Sequence, residues 1–203
     1  SIIISTGMTN ITQIKDLTSY IYKVIGKKSA EKRIALLHCV TSYPVEDKFA
    51  NLRSVEYLIK NSKLTIGYSD HTLGNDACIA AVAMGAKVIE KHFTINKKFS
   101  KFRDHALSAD YIDLKNIVSR IRKVEKQLGR FNKEIQKPEK KLIKIVRRAV
   151  YADRDIFPGE KISIKNVKFL RPSLTSNFFY LKKIIGRKIK KTFYKDQKIN
   201  LDI

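Results

Sequence analysis

All four histidines of the sequence lie between positions 38 and 105. Three of them, His38, His71 and His92, each follow directly on a run that reads as a β-strand. Ser5-Thr6, Ser69-Asp70 and Glu90 hold matching positions at the ends of the same set of runs. In sheets built of parallel strands, side chains at the carboxyl ends converge on one face, where sites are built. His71 and His92 end adjacent units, so their imidazoles are placed to share one cation. Two imidazoles with a carboxylate and open positions suit Mn²⁺, Fe²⁺ or Zn²⁺. Hydroxyls and backbone N–H groups at Ser5-Thr6-Gly7 and at Ser69 lie where a helix N-terminus receives phosphate. A divalent cation beside a phosphate site points to an anionic substrate and Lewis-acid chemistry.

Taken singly, each residue has a plainer reading. A strand-end histidine is more often a hydrogen-bonded structural residue than a ligand. Ser5-Thr6-Gly7 alone is an ordinary capping turn, Cys39 reads as a small buried hydrophobe, and Glu90-Lys91 reads as a solvated ion pair of little worth. The joint pattern carries the argument, because all four consecutive strands end in hydroxyl, imidazole or carboxylate groups.

The elements that must position these groups alternate strand and helix with short connections. Strands are expected at Ser1–Ser5, Ile34–Leu37 and Leu64–Gly67, and Lys87–Ile89 begins a fourth that ends in Glu90-Lys91-His92-Phe93. Helices are expected from Ile11 to Val24 with Gly26 as the stop, near Leu52–Lys60, and over Ala77–Met84 closing at Gly85. Ser108 is expected to cap a last helix bearing Leu114, Ile117, Ile121 and Leu128, ended by Gly129. Four such βα units in series imply parallel strands with helical crossovers. Arg130–Lys144 is charged, contains Pro138 and reads as a linker. Beyond it, Asp155–Ile162 reads as strand, tight turn and strand, with a weak echo at Tyr194–Ile199 that lacks a turn glycine. The expected division is residues 1–129, a linker over 130–146, and a small β-rich domain over 147–203.

The 203 residues carry 42 basic and 19 acidic side chains, a formal net charge of +23. Residues 111–203 hold 26 of the basic and 9 of the acidic groups, a net of +17. A basic half points to an anionic partner, and a nucleic-acid or polyanion-binding module is the competing reading from another class. Lysine dominates the basic set, however, alongside abundant Ile and Asn, which has the look of a compositional habit rather than a phosphate-reading surface. Two cysteines, Cys39 and Cys78, build no disulfide framework. No apolar run approaches the roughly 20 residues that span a bilayer, so a cytoplasmic setting is expected and a membrane is not. The sequence opens without Met inside a strand, as expected of part of a longer protein.

Ser5-Thr6-Gly7-Met8, Leu37-His38-Cys39 with Tyr43-Pro44, Gly67-Tyr68-Ser69-Asp70-His71-Thr72 and Glu90-Lys91-His92-Phe93-Thr94 together resemble the sialic acid synthase family. Asp155-Ile156, Gly159-Glu160 and Leu170-Arg171-Pro172 resemble the antifreeze-like (SAF) domain that follows the barrel in those enzymes. The resemblance implies an α/β fold: the C-terminal half of a (β/α)8 TIM barrel, then a small β-rich SAF domain. It implies condensation of phosphoenolpyruvate with N-acetylmannosamine, or with a 6-deoxy-diacetamido hexose in the legionaminate and pseudaminate synthases. Phosphate is released and a nine-carbon 2-keto acid forms. The cofactor implied is a divalent metal, typically Mn²⁺, with His71 and His92 as ligands. Ser5, Thr41 and Ser69 match positions that contact phosphoenolpyruvate, Glu90 matches a carboxylate beside the reacting carbons, and Asp104 and Arg171 match contacts to the sugar. A homodimer is implied, with the SAF domain covering the partner's barrel.

Departures are visible. Family members often carry Asn or Ser at the position of Thr41, and Gly-Pro-Asp-His where this chain has Phe102-Arg103-Asp104-His105. The first half of the barrel, with its phosphate-binding lysines, is expected upstream, which leaves an inactive barrel fragment as a third reading of this chain alone.

Overall fold

The computed structural model describes residues 1–100, 104–171 and 178–199, and divides into two compact units, Ser1–Phe131 and Asn132–Ile203. In the first unit, four strands form one all-parallel sheet in the order β1 (Ile2–Ser5), β2 (Ile34–Cys39), β3 (Thr65–Asp70), β4 (Ile89–Lys91). The helices between them are α1 (Ile11–Ile25), α2 (Lys27–Arg33), α3 (Arg53–Asn61) and α4 (Asp76–Ala83), and α5 (Tyr111–Leu128) follows β4. This is the half-barrel arrangement of four βα units.

Strand parity divides the residues between two faces. Ile4, Leu36, Ile66, Tyr68 and Ile89 share one parity and pack with Ile14, Ala30, Val55, Leu58 and Ala81 from the helices, forming the main core. The opposite parity carries Ser5, Cys39, Ser69 and Glu90 on the face the helices leave open. Gly67 belongs to this second set. A Cβ there would lie 2.5 Å from the Val88 carbonyl oxygen and 2.8 Å from its Cβ, so glycine lets β3 and β4 approach.

Local chemistry explains the helix ends. Asn10 caps α1 reciprocally with Gln13, and Gly26 ends it at φ 78°. The cap of α5 is Asp110 with Asp113, not Ser108. Ser108 gives its hydroxyl to the Asp104 carbonyl, and the next residue is held in a bridge beside β4: Ala109 N–H donates to the His92 carbonyl and Thr94 N–H to that of Ala109. The helix can start only after that bridge. The fourth strand, Ile89–Lys91, falls within the expected span, and ladder-type bonds begin at Lys87 N–H to the Ile66 carbonyl. Helix α2 has one buried residue, Ala30, and so leaves no apolar period to read.

The second unit begins with α6 (Lys137–Val146) inside the expected linker, with Pro138 in its first turn and Gln136 and Glu139 capping each other. Its regular strands are β5 (Ala149–Ala152) and β6 (Val167–Leu170), paired antiparallel, followed by α7 (Phe178–Ile184). Asp155–Ile162 is not a pair of strands; it contributes isolated bridges, Ile156 to Phe193 and Lys161 to Lys188. The echo is real as geometry. In Phe157–Glu160 and Tyr194–Gln197 the fourth N–H donates to the first carbonyl, and the fourth side chain accepts from the first N–H at 2.8 Å. Gly159 takes φ 89° at the third position of one turn, and Asp196 takes φ 66° at the same place in the other. The two segments exchange bonds reciprocally between Ile156 and Phe193, at 2.8 and 2.9 Å. Ile156, Ile162, Ile189, Phe193 and Ile199 from both copies fill one core. Among the described residues, no helix is long and apolar enough to cross a membrane.

Candidate functional site

Ser69 and Glu90 are cross-strand neighbours near the carboxyl ends of β3 and β4, and the Ser69 hydroxyl donates to Glu90 Oε1 at 2.7 Å. Two residues beyond Ser69, His71 is buried at 5% exposure. Its Nδ1 lies 2.9 Å from the Val40 carbonyl. A carbonyl only accepts, so Nδ1 is the nitrogen that donates here, and in the neutral ring the lone pair is then on Nε2. His92 is half-buried, with its ring centroid 5.2 Å from that of His71. Tyr43, from the loop after β2, stands 4.3 Å from the His71 ring and 5.8 Å from the His92 ring. Asp104 Oδ2 is 3.7 Å from His92 Nδ1.

Ser5 and Thr41 meet around Gly7. The Gly7 N–H lies 3.4 Å from Ser5 Oγ, and a Cβ on Gly7 would collide with Thr41 Oγ1. The first unit thus brings together Ser5 with Thr41, Ser69 with Glu90, and His71 with His92 and Asp104. Arg171, exposed just after β6, belongs to the second unit. Phe102, Arg103 and Pro172 lie outside the described residues.

Three residues of the convergent set do structural work. Thr6 Oγ1 donates to the Leu37 carbonyl at 2.8 Å. His38 Nε2 donates to the Ala50 carbonyl at 2.9 Å, and burial pushes its pKa below the ordinary imidazole value, the Ala50 bond pulling the other way. Asp70 is fully buried. Burial pushes its carboxyl up, but Lys91 and the Thr72 N–H hold it down, and the net displacement is downward. Lys91 accordingly pairs with Asp70 at 2.7 Å, side chains 5% and 0% exposed, and not with the adjacent Glu90. Neighbours along a strand point to opposite faces, which separates Glu90 from Lys91 and puts Lys91 over Asp70. Sequence reading missed this pair and the ring contacts of Tyr43. The shared parity of Asp70 and Lys91, opposite to that of His71 and His92, was the available signal.

The residues present fit a divalent cation. The fixed His71 tautomer leaves one imidazole nitrogen ready to ligate, the arrangement second-shell carbonyls create at metal sites, and His92 is its neighbour. Among the described residues, no group of three His, Cys, Asp or Glu gathers around one point. Two imidazoles with open positions are a donor set that suits Mn²⁺, Fe²⁺ or Zn²⁺.

Comparison with known proteins bears on what this arrangement belongs to. The model of the NeuB family matches residues 1–133, and that of the SAF domain matches residues 147–202. An uncharacterized protein of Methanocaldococcus jannaschii is 41% identical over 201 residues, covering 99% of this chain and 58% of that protein. The N,N'-diacetyllegionaminic acid synthase of Campylobacter jejuni is 38% identical over 198 residues, 98% of this chain and 58% of its own length. Among solved structures, the N-acetylneuraminic acid synthetase of Leptospira borgpetersenii superimposes with a TM-score of 0.63 at 34% identity, covering 70% of this chain and 47% of that one. The chain spans 58% of the length of each of these two relatives. With a four-strand half-barrel, polar strand ends and an SAF unit in that order, the chain belongs to the NeuB family of sialic, legionaminic and pseudaminic acid synthases.

Proposed function

We propose that the full-length protein containing this chain condenses phosphoenolpyruvate with an N-acetylated amino-sugar aldehyde. C3 of phosphoenolpyruvate bonds to the aldehyde carbon, a water oxygen adds at C2, phosphate leaves, and a nine-carbon 2-keto acid forms. The observation that carries this reading is the His71–His92 pair with the His71 tautomer fixed, one strand turn from the Ser69–Glu90 hydrogen bond. Mn²⁺ is the proposed metal, held by His71 and His92; when bound it polarises the sugar carbonyl. Ser5, Thr41 and Ser69 hold phosphoenolpyruvate through their hydroxyls. Glu90, exposed at the ladder end and held by Ser69, orients the attacking water or moves its proton. Asp104 binds a sugar hydroxyl, and Arg171 reaches the N-acetyl group from the SAF unit of a second subunit in a homodimer. The reaction takes place in the cytoplasm.

N-acetylmannosamine is the first-choice sugar. A 6-deoxy-diacetamido hexose is the second, supported by the Campylobacter jejuni legionaminic acid synthase matching 98% of the chain. The test is product analysis. Full-length protein is incubated with phosphoenolpyruvate, Mn²⁺ and each sugar, and the mixture is analysed by mass spectrometry. One sugar is expected to give the mass of a nine-carbon 2-keto acid. Intact substrates with every sugar, from folded protein, contradict the proposal.

A further inference from the structure

The last rung of the parallel ladder pairs Asp70 with Lys91, and His71 and His92 are the next residues along each strand. Alternation puts Asp70 and Lys91 on the helix-covered face and the two imidazoles on the other. Lys91 Nζ donates to Asp70 Oδ2 at 2.7 Å and to the Thr72 carbonyl at 2.9 Å. One ammonium, attached to the residue before His92, thus grips the residues on both sides of His71. Asp70 is tied down in turn. Its Oδ1 accepts from the Tyr68 hydroxyl at 3.1 Å, the Thr72 N–H at 2.9 Å and the Thr72 hydroxyl at 2.8 Å, and the Cys78 thiol donates to Oδ2 at 3.2 Å.

Burying an ion pair seldom stabilises a fold more than an apolar pair of the same volume would. Its geometric effect is specific, because it fixes the height and twist of two strand ends whose next side chains must meet one point. Metal–ligand distances tolerate only about 0.2 Å of error. We infer that Asp70 and Lys91 are positioning residues, whose buried pair sets the separation at which the His71 and His92 imidazoles engage one divalent cation. This rests on the reading of His71 and His92 as the cation site.

The test uses the full-length protein, with Mn²⁺ alone as the probe. Mn²⁺ affinity is measured by EPR titration, and the thermal midpoint without metal by circular dichroism. The proteins are wild type, His71→Ala, and the double variant Asp70→Asn/Lys91→Met, which removes both charges together. The double variant is expected to bind Mn²⁺ about 10-fold or more weakly than wild type, with a midpoint close to that of wild type. A purely structural pair gives the converse, a lowered midpoint with wild-type Mn²⁺ affinity in the folded protein, and that result overturns the inference. If the double variant does not fold, Lys91→Arg keeps the charge and changes its reach. Weaker Mn²⁺ binding at an unchanged midpoint is then expected, and wild-type affinity overturns the inference. Wild-type protein that binds Mn²⁺ no better than His71→Ala overturns the site reading, and the inference with it.

Discussion

His38 and His71 are both buried strand-end imidazoles, and what separates them is which nitrogen meets a carbonyl. His38 gives Nε2 to Ala50, whereas His71 gives Nδ1 to Val40 and leaves Nε2 outside that bond. In the proposed synthase, His71→Ala and His92→Ala are each expected to lower kcat/KM by at least about 100-fold, roughly 2.7 kcal/mol of transition-state stabilisation. Steady-state kinetics on folded variants check this. His38 gives a different prediction, because its folded pKa is depressed while its unfolded value is about 6.5. Between those two values the unfolded chain binds the extra proton, so stability is unpenalised above about pH 6.5 and falls as the pH drops toward the folded value. The thermal midpoint of wild type is expected to fall on acidification through this range, and less steeply in His38→Gln. The sequence showed that strand ends carry chemistry. It did not show which groups face the open side, since that needs the register as well as the residue types.

At the scale of elements, parity sorts the site. Gly67 lies on the same face as Ser69 and leaves room for Val88 of the next strand. Gly67→Ala is expected to destabilise the protein by about 1–3 kcal/mol, the usual cost of overpacking, measured by urea denaturation. Because it forces β3 from β4, it is also expected to raise the KM for phosphoenolpyruvate if Ser69 binds it. Helices α1, α3 and α5 were legible because each presents an apolar stripe to the sheet. Helix α2 buries only Ala30 and announces itself by no apolar period, whereas α6 carries its apolar residues in its second half and its start is marked by Pro138 and the Gln136–Glu139 cap, signals the reading of 130–146 as a linker passed over. The pseudo-repeat was legible from residue type, yet its glycine requirement was not: Asp196 adopts the positive φ that Gly159 supplies in the first copy. Aspartate tolerates that region better than most side chains, and Lys168 pairs with its carboxylate.

For the whole molecule, the family shown and the length covered set the terms of the test. The two units match NeuB and SAF in order, but the chain spans 58% of its Campylobacter jejuni relative. The proposed activity is therefore tested on the full-length protein. The excess of basic residues over the C-terminal half has the look of composition rather than of a nucleic-acid surface, and residues 147–202 of that half match the SAF domain. The most direct measurement is phosphate release from phosphoenolpyruvate by full-length protein stripped of metal, with N-acetylmannosamine or a diacetamido hexose present. No release is expected until Mn²⁺ is added, release with one of the sugars once it is, and none from His71→Ala under the same conditions. Release that is equally fast in chelator, or that survives in His71→Ala, would contradict the proposed function.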